Sequence, residues 1–282
     1  MKNVKKNIVR ITKDKVSELS LFKQIISYRE LIYILFKRDI ITTYKQTILG
    51  PFWIIINPLV TSFVFTIIFG KVAKIPTDGI PSFLFYFSAL TIWNFFYNNV
   101  ISISNFFNTN REFFSKVYFT RIVIPLSNIL TNSLRFLIQF FILLLFCFFI
   151  FDLKLNFSMQ FLFIIIYCYV YIFLFSLGVG LFLNSFTYKY KDLSNIIVFL
   201  LTIWMYLSPV VYPISEAPLK LKFILSINPI ASVIEIFRSG IFNLEFNINI
   251  FSYSFSIIFL IVILSIGILM YKKTEKNFID IA

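Results

Sequence analysis

Six stretches of the chain run long without charge, separated by short connectors that hold most of the lysines and arginines. A helix rises about 1.5 Å per residue, so roughly 20 residues cross a hydrocarbon layer about 30 Å thick. Residues 52–70 hold nineteen uncharged positions and 80–104 twenty-five. Residues 122–151 hold thirty, interrupted by Arg135 alone, and further uncharged runs cover 155–188, 193–215 and 246–271. None of these runs alternates apolar with polar positions as barrel strands do. They predict an all-α integral membrane fold with six transmembrane helices, at about 52–70, 80–104, 122–151, 158–186, 193–213 and 248–271. The membrane domain then occupies residues 51–271, between an N-terminal segment, 1–50, and a short tail, 272–282.

Two regions depart from that rhythm. Within residues 23–50, Leu31, Ile32, Leu35, Phe36 and Ile40 share one helical face, and Glu30, Lys37, Arg38 and Lys45 lie roughly opposite. Ile34, Ile41 and Ile48 intrude on the polar side. The pattern predicts an interfacial amphipathic helix lying on the membrane lipids, with packing against other protein as the alternative. The second region is 213–249, between the fifth and sixth spans. Residues 230–242 are apolar but only thirteen long, and they contain Glu235 and Arg238. Such a segment is too short to cross and too apolar for an open loop, so short re-entrant helices covered by protein are expected. Glu235 and Arg238, spaced i, i+3, can pair on one helix face, which lowers the cost of burying either.

Composition narrows the class. Hydrophobic residues make up 59% of the chain and charged ones 14%, against about 25% charged in soluble domains. The net charge of +13 does not call for nucleic acid, because the cations fall in the connectors. Six spans put both termini on one side, with nineteen Lys/Arg in the segments there and six in those opposite. That asymmetry predicts a multi-pass protein of the cytoplasmic (inner) membrane with both termini cytoplasmic. The first 50 residues lack an apolar core of the signal-peptide kind, so no cleaved leader is expected. There is no histidine, no metal-ligand spacing around Cys147 and Cys168, and no convergent set of acids. No catalytic, cofactor or metal site is expected on this chain. The seven glycines form no G-x-x-x-x-G-K-[ST] string to cradle a nucleotide, and no span holds Asp or Glu well inside it, which disfavours an ion-coupled carrier.

Several local strings carry more information. Residues 44–53 read YKQTILGPFW, with Gly50-Pro51 as helix punctuation and Trp53 as an anchor at headgroup level. The connector 105–121 is short and charged, and it presents Phe113, Phe114 and Tyr118 as exposed aromatics on a segment too short for a stable isolated helix. It is therefore expected to dock onto another surface. Downstream come SPVVYP at 208–213, NPIASVIEIFRSG at 228–240 and YKKTEKNFIDI at 271–281. Arg135 is the sharpest single residue, because an arginine at mid-helix costs about 2.5–3.5 kcal/mol on insertion scales. It must face protein, water or an anionic group, and a structural partner serves as well as a substrate.

In this order, YKQTILGPFW, KVYFTRIVIPLS, SPVVYP and NPIASVIEIFRSG resemble the membrane subunit of type-2 ABC exporters of polysaccharides, the O-antigen, capsule and teichoic-acid permeases. The resemblance covers about residues 25–282. It departs at Thr120, where the family usually has proline before the arginine. It implies a homodimer seated on two copies of a separate ABC ATPase, which would hold the ATP and magnesium. The connector 105–121 would press a coupling helix into that ATPase through Arg111, Glu112, Phe113, Phe114, Lys116, Tyr118 and Arg121. A lipid-linked glycan would reach the cytoplasmic opening beside the interfacial helix. The first and fifth spans would line its path, and the short helices of 213–249, with Glu235 and Arg238, would gate the far side. Sugar rings stack on aromatic faces, which makes Phe52, Trp53, Phe63, Trp204, Tyr206 and Tyr212 path candidates beside Arg135. In a chain with 20% aromatics, ordinary packing competes for each of them. An exporter of a drug, lipid or other small molecule, a membrane-embedded glycan-handling enzyme and a secondary carrier are the alternatives.

Overall fold

The computed structural model describes residues 26–45, 48–111, 114, 119–151, 158–244 and 250–279, and every regular element among them is a helix. Helix α1 covers Arg29–Tyr44. A 3-10 turn at Gly50–Phe52 leads into α2, Trp53–Phe65, which continues as a π-helical stretch over Thr66–Val72. Gly50 adopts φ +50°, a left-handed conformation that costs glycine little, and Pro51 then opens the next turn. Helix α3 spans Ser82–Ser104, the short α4 Phe106–Thr109, α5 Val123–Phe149 and α6 Met159–Thr187. Next come α7 at Leu193–Tyr206, α8 at Leu219–Ile227, α9 at Pro229–Phe242 and α10 at Ile250–Ile279.

Among the described residues four helical stretches are long and apolar enough to cross a membrane: Gly50–Val72, Val123–Phe149, Met159–Thr187 and Ile250–Lys276. The other two expected spans differ for identifiable reasons. Helix α3 has the length, 23 residues, but Asn94, Asn98 and Asn99 dilute its hydropathy. Helix α7 stops at Tyr206 after 14 residues, well before 213. Pro209 disfavours helical backbone at Ser208 and has no N–H to continue the ladder.

Helix α3 is the centre of the molecule. Sixteen of its residues are buried, and it packs against α2, α5, α6, α7 and α9. Its aromatic side chains stack across the seam with α6: Phe95 on Tyr169 at 5.5 Å and Phe96 on Phe175 at 5.4 Å. Lipid provides little hydrophobic drive for helices to associate, so close backbone approach matters more. Helices α6 and α10 meet through glycines: a Cβ built on Gly178 would lie 2.9 Å from the Leu264 backbone, and one on Gly267 would overlap the Gly178 carbonyl.

Helix α1 packs on α5. Of the face expected to be apolar, Ile32 and Leu35 are buried, while Leu31, Phe36 and Ile40 are half-buried. Tyr33, Ile34 and Ile41 are exposed on the other side. The helix therefore uses one apolar edge against protein and leaves a second one open.

Candidate functional site

Three clusters hold the described arginines Arg121, Arg135 and Arg238 singled out from the sequence, one at each end of the bundle and one midway. The first lies where the 105–121 connector meets the end of α10. Phe106 and Phe107 on α4, together with Tyr271 on α10, are almost fully buried. Phe107 stacks on Tyr271 with rings 16° from parallel. Asn108 donates to the Thr187 carbonyl at 2.8 Å, and Asn105 accepts from Ser194 at 2.6 Å, which ties the connector to the end of α6 and the start of α7.

Of the residues expected to meet an ATPase, Glu112, Phe113, Lys116 and Tyr118 lie outside the described residues. Arg111 is exposed. Phe114 is not the exposed aromatic the sequence suggested. It is 9% exposed and packs on Phe107 and Phe119. Its apolar ring gains more from that aromatic nest than from water. Arg121 also turns inward: Nη1 donates to the Glu275 carbonyl of α10 at 3.0 Å, and the guanidinium lies over Phe114 and Phe107.

The second cluster is midway along α5. Arg135 Nη1 donates to Asn132 Oδ1 at 3.2 Å, and Asn132 Nδ2 donates to Asn99 Oδ1 of α3 at 2.9 Å. Arg135 is half-buried and its partner is polar protein, the structural option left open by the sequence.

The third cluster is at the opposite end from the connector. Arg238 on α9 is 4% exposed, and its two Nη atoms donate to the carbonyls of Pro209 at 2.8 Å and Phe85 at 3.0 Å. The guanidinium lies 3.5 Å from the centroid of the Phe85 ring. The expected Glu235–Arg238 ion pair does not form, because the arginine is bound by carbonyls of α3 and of the segment after α7. Asp78, in the α2–α3 connector, accepts from Ser215 at 2.7 Å, which joins two loops at this end of the bundle.

The aromatic path candidates are not gathered into one site. Phe52 in the 3-10 turn, and Trp53 and Phe63 on α2, are all exposed. Trp204 instead packs edge-on against Phe96 and Phe175, and its Nε1 donates to Asn228 at 3.2 Å. Tyr212 is half-buried and donates to the carbonyl of Tyr206, whose own ring is exposed. The residue that sequence reasoning passed over is Asn228. It caps α9 by accepting from Ile230 N–H, receives Trp204, and donates to Leu207 O and Ser208 Oγ. The signal was present: asparagine followed by proline marks a helix start.

Long apolar helices packed around an asparagine-bearing central helix, with polar clamps at both ends, define a multi-pass membrane protein. The chain belongs to the ABC-2 type transporter family, whose pattern matches residues 30–242. It is also similar to an O-antigen export system permease protein, RfbA, of Klebsiella pneumoniae. The two are 26% identical over 257 residues, which cover 89% of this chain and 95% of the relative. A Myxococcus xanthus protein of the same name is 25% identical over 224 residues, 78% of this chain and 84% of its own.

Proposed function

We propose that this chain is the membrane subunit of an ATP-driven exporter that moves a lipid-linked polysaccharide across the cytoplasmic membrane. The observation that carries the reading is the match, over most of the chain, to permeases named for O-antigen export. In this reading six segments span the membrane: the four long helices, α3, and α7 with the SPVVYP segment that follows it. Helices α8 and α9 dip back into the outer leaflet, and both termini are cytoplasmic.

Two copies pair and sit on two separate ABC ATPase subunits, which supply ATP and magnesium, while this chain contributes no catalytic group. Support for pairing comes from the open faces of α2 and α7, where Phe52, Val60, Phe63, Ile196, Phe199 and Ile203 are exposed. The 105–121 connector meets the ATPase, with Arg111 exposed and Phe107 and Phe114 turned inward. The glycan passes along α2 and α7, past Phe52, Trp53, Phe63 and Tyr206, towards the mouth formed by Asp78, Ser215, Glu235 and Arg238.

Purification of the tagged chain from membranes should bring an ABC ATPase with it, and deleting the chain should trap lipid-linked glycan inside the cell. Scrambling residues 110–118 should release the ATPase and stop export. Export that continued with every ABC ATPase removed would refute the reading. Trapping of a small molecule in place of a glycan would move the chain to another class of exporter.

A further inference from the structure

We infer that Arg121 is a positioning residue that straps the aromatic nest of Phe107 and Phe114 to the end of α10, so that nest and helix move as one body and displacement of the nest drives α10 directly. This rests on the exporter reading above. It departs from the sequence expectation for this residue, which placed Arg121 on the ATPase.

Four observations converge on the strap. Arg121 Nη1 donates 3.0 Å to the carbonyl of Glu275, four residues before α10 ends at Ile279. Carbonyls near a helix C-terminus carry the negative end of the dipole and attract cations. The guanidinium also lies 5.4 Å from the centroid of Phe114 and 5.9 Å from that of Phe107, a cation–π arrangement. Phe107 in turn stacks on Tyr271 of α10, which is 1% exposed. Thr274, one turn on, is 3% exposed. Phe107, Phe114 and Arg121 are thus held to α10 by a charge-assisted hydrogen bond and a ring stack.

The onward path is equally direct. Helix α10 meets α6 through the Gly178–Gly267 crossing, where backbone touches backbone. Such a crossing has no side-chain cushion to absorb movement, so a push on the end of α10 reaches α6. The coupling route from an ATPase therefore enters the membrane along α10, which follows the last connector in the chain, although the contact loop itself follows α3.

The test uses the whole chain co-expressed with its ATPase. Arg121→Ala should retain the ATPase on purification and continue to hydrolyse ATP, while cargo exported per ATP falls about tenfold. Arg121→Lys, which keeps the charge but not the planar fork, should recover part of that ratio. Arg121→Cys with Glu275→Cys, joined by a thiol-specific linker about as long as an arginine side chain, should restore export by replacing the strap covalently. The native Cys147 and Cys168 are buried and do not compete. Loss of the ATPase from Arg121→Ala would overturn the inference and return Arg121 to the partner contact. Unchanged export per ATP, or export abolished by the linker, would also overturn it. Should Arg121→Ala fail to insert, the linked double variant decides alone. If no ATPase accompanies even the unaltered chain, the exporter reading itself has failed.

Discussion

Gly267→Leu is expected to separate α10 from α6 and leave little folded protein. A Cβ at position 267 overlaps the carbonyl oxygen of Gly178, and one at 178 falls 2.9 Å from both Leu264 Cα and Leu264 N. The obstructing atoms are backbone, so no rotamer change relieves the overlap and the two helices must part. Overpacking a core costs up to about 3 kcal/mol, and here the strain adds to the van der Waals packing forfeited along the whole seam. That figure alone corresponds to roughly a hundredfold in the folded fraction. Gly178→Ala should act in the same direction with a smaller effect. The measurement is monodisperse yield on size exclusion together with the melting temperature in detergent. A Gly267→Leu chain that melts with the native protein would show that the crossing is not tight.

Arg238→Met should be the most damaging single change at the mouth. Methionine fills part of the space but donates nothing, so the carbonyls of Pro209 and Phe85 lose a charged donor in a site only 4% exposed. Each hydrogen bond to a charged group contributes about 1.5–3 kcal/mol, and the arginine also covers the Phe85 ring. The expected cost is on the order of 3 kcal/mol, seen as early unfolding in a melt and as loss of export. Arg238→Lys should recover little, because one ammonium cannot span two carbonyls set by a planar fork. Equal melting of Arg238→Met and the unaltered chain would rule out a structural clamp.

The membrane helices were legible because length and freedom from charge follow directly from the thickness of hydrocarbon. The run at 122–151 became α5 and the run at 155–188 contains α6 almost whole. The end of α7 was less legible, since an uncharged run says nothing about where Pro209 interrupts the backbone. At the sites, sequence supplied the residues but not their partners. Glu235 and Arg238 have the spacing of a pair, yet Arg238 reaches carbonyls 29 and 153 positions away in the chain. Phe114 reads as exposed in a charged connector, and only the fold shows the aromatic nest that receives it. Asn228 was passed over within its string and is a hub, because Trp204, Leu207 and Ser208 all meet it from the end of α7 and the segment after it.

The burial of α3 has a consequence for how such a molecule can move. A helix packed against five others, with Asn99 in its last third bound to Asn132 of α5, cannot tilt without prying those helices apart at once. In the exporter reading it is the element around which the others move: a push that reaches α6 along α10 is felt against α3, and α2 and α7, whose outer flanks are open, are left free to follow.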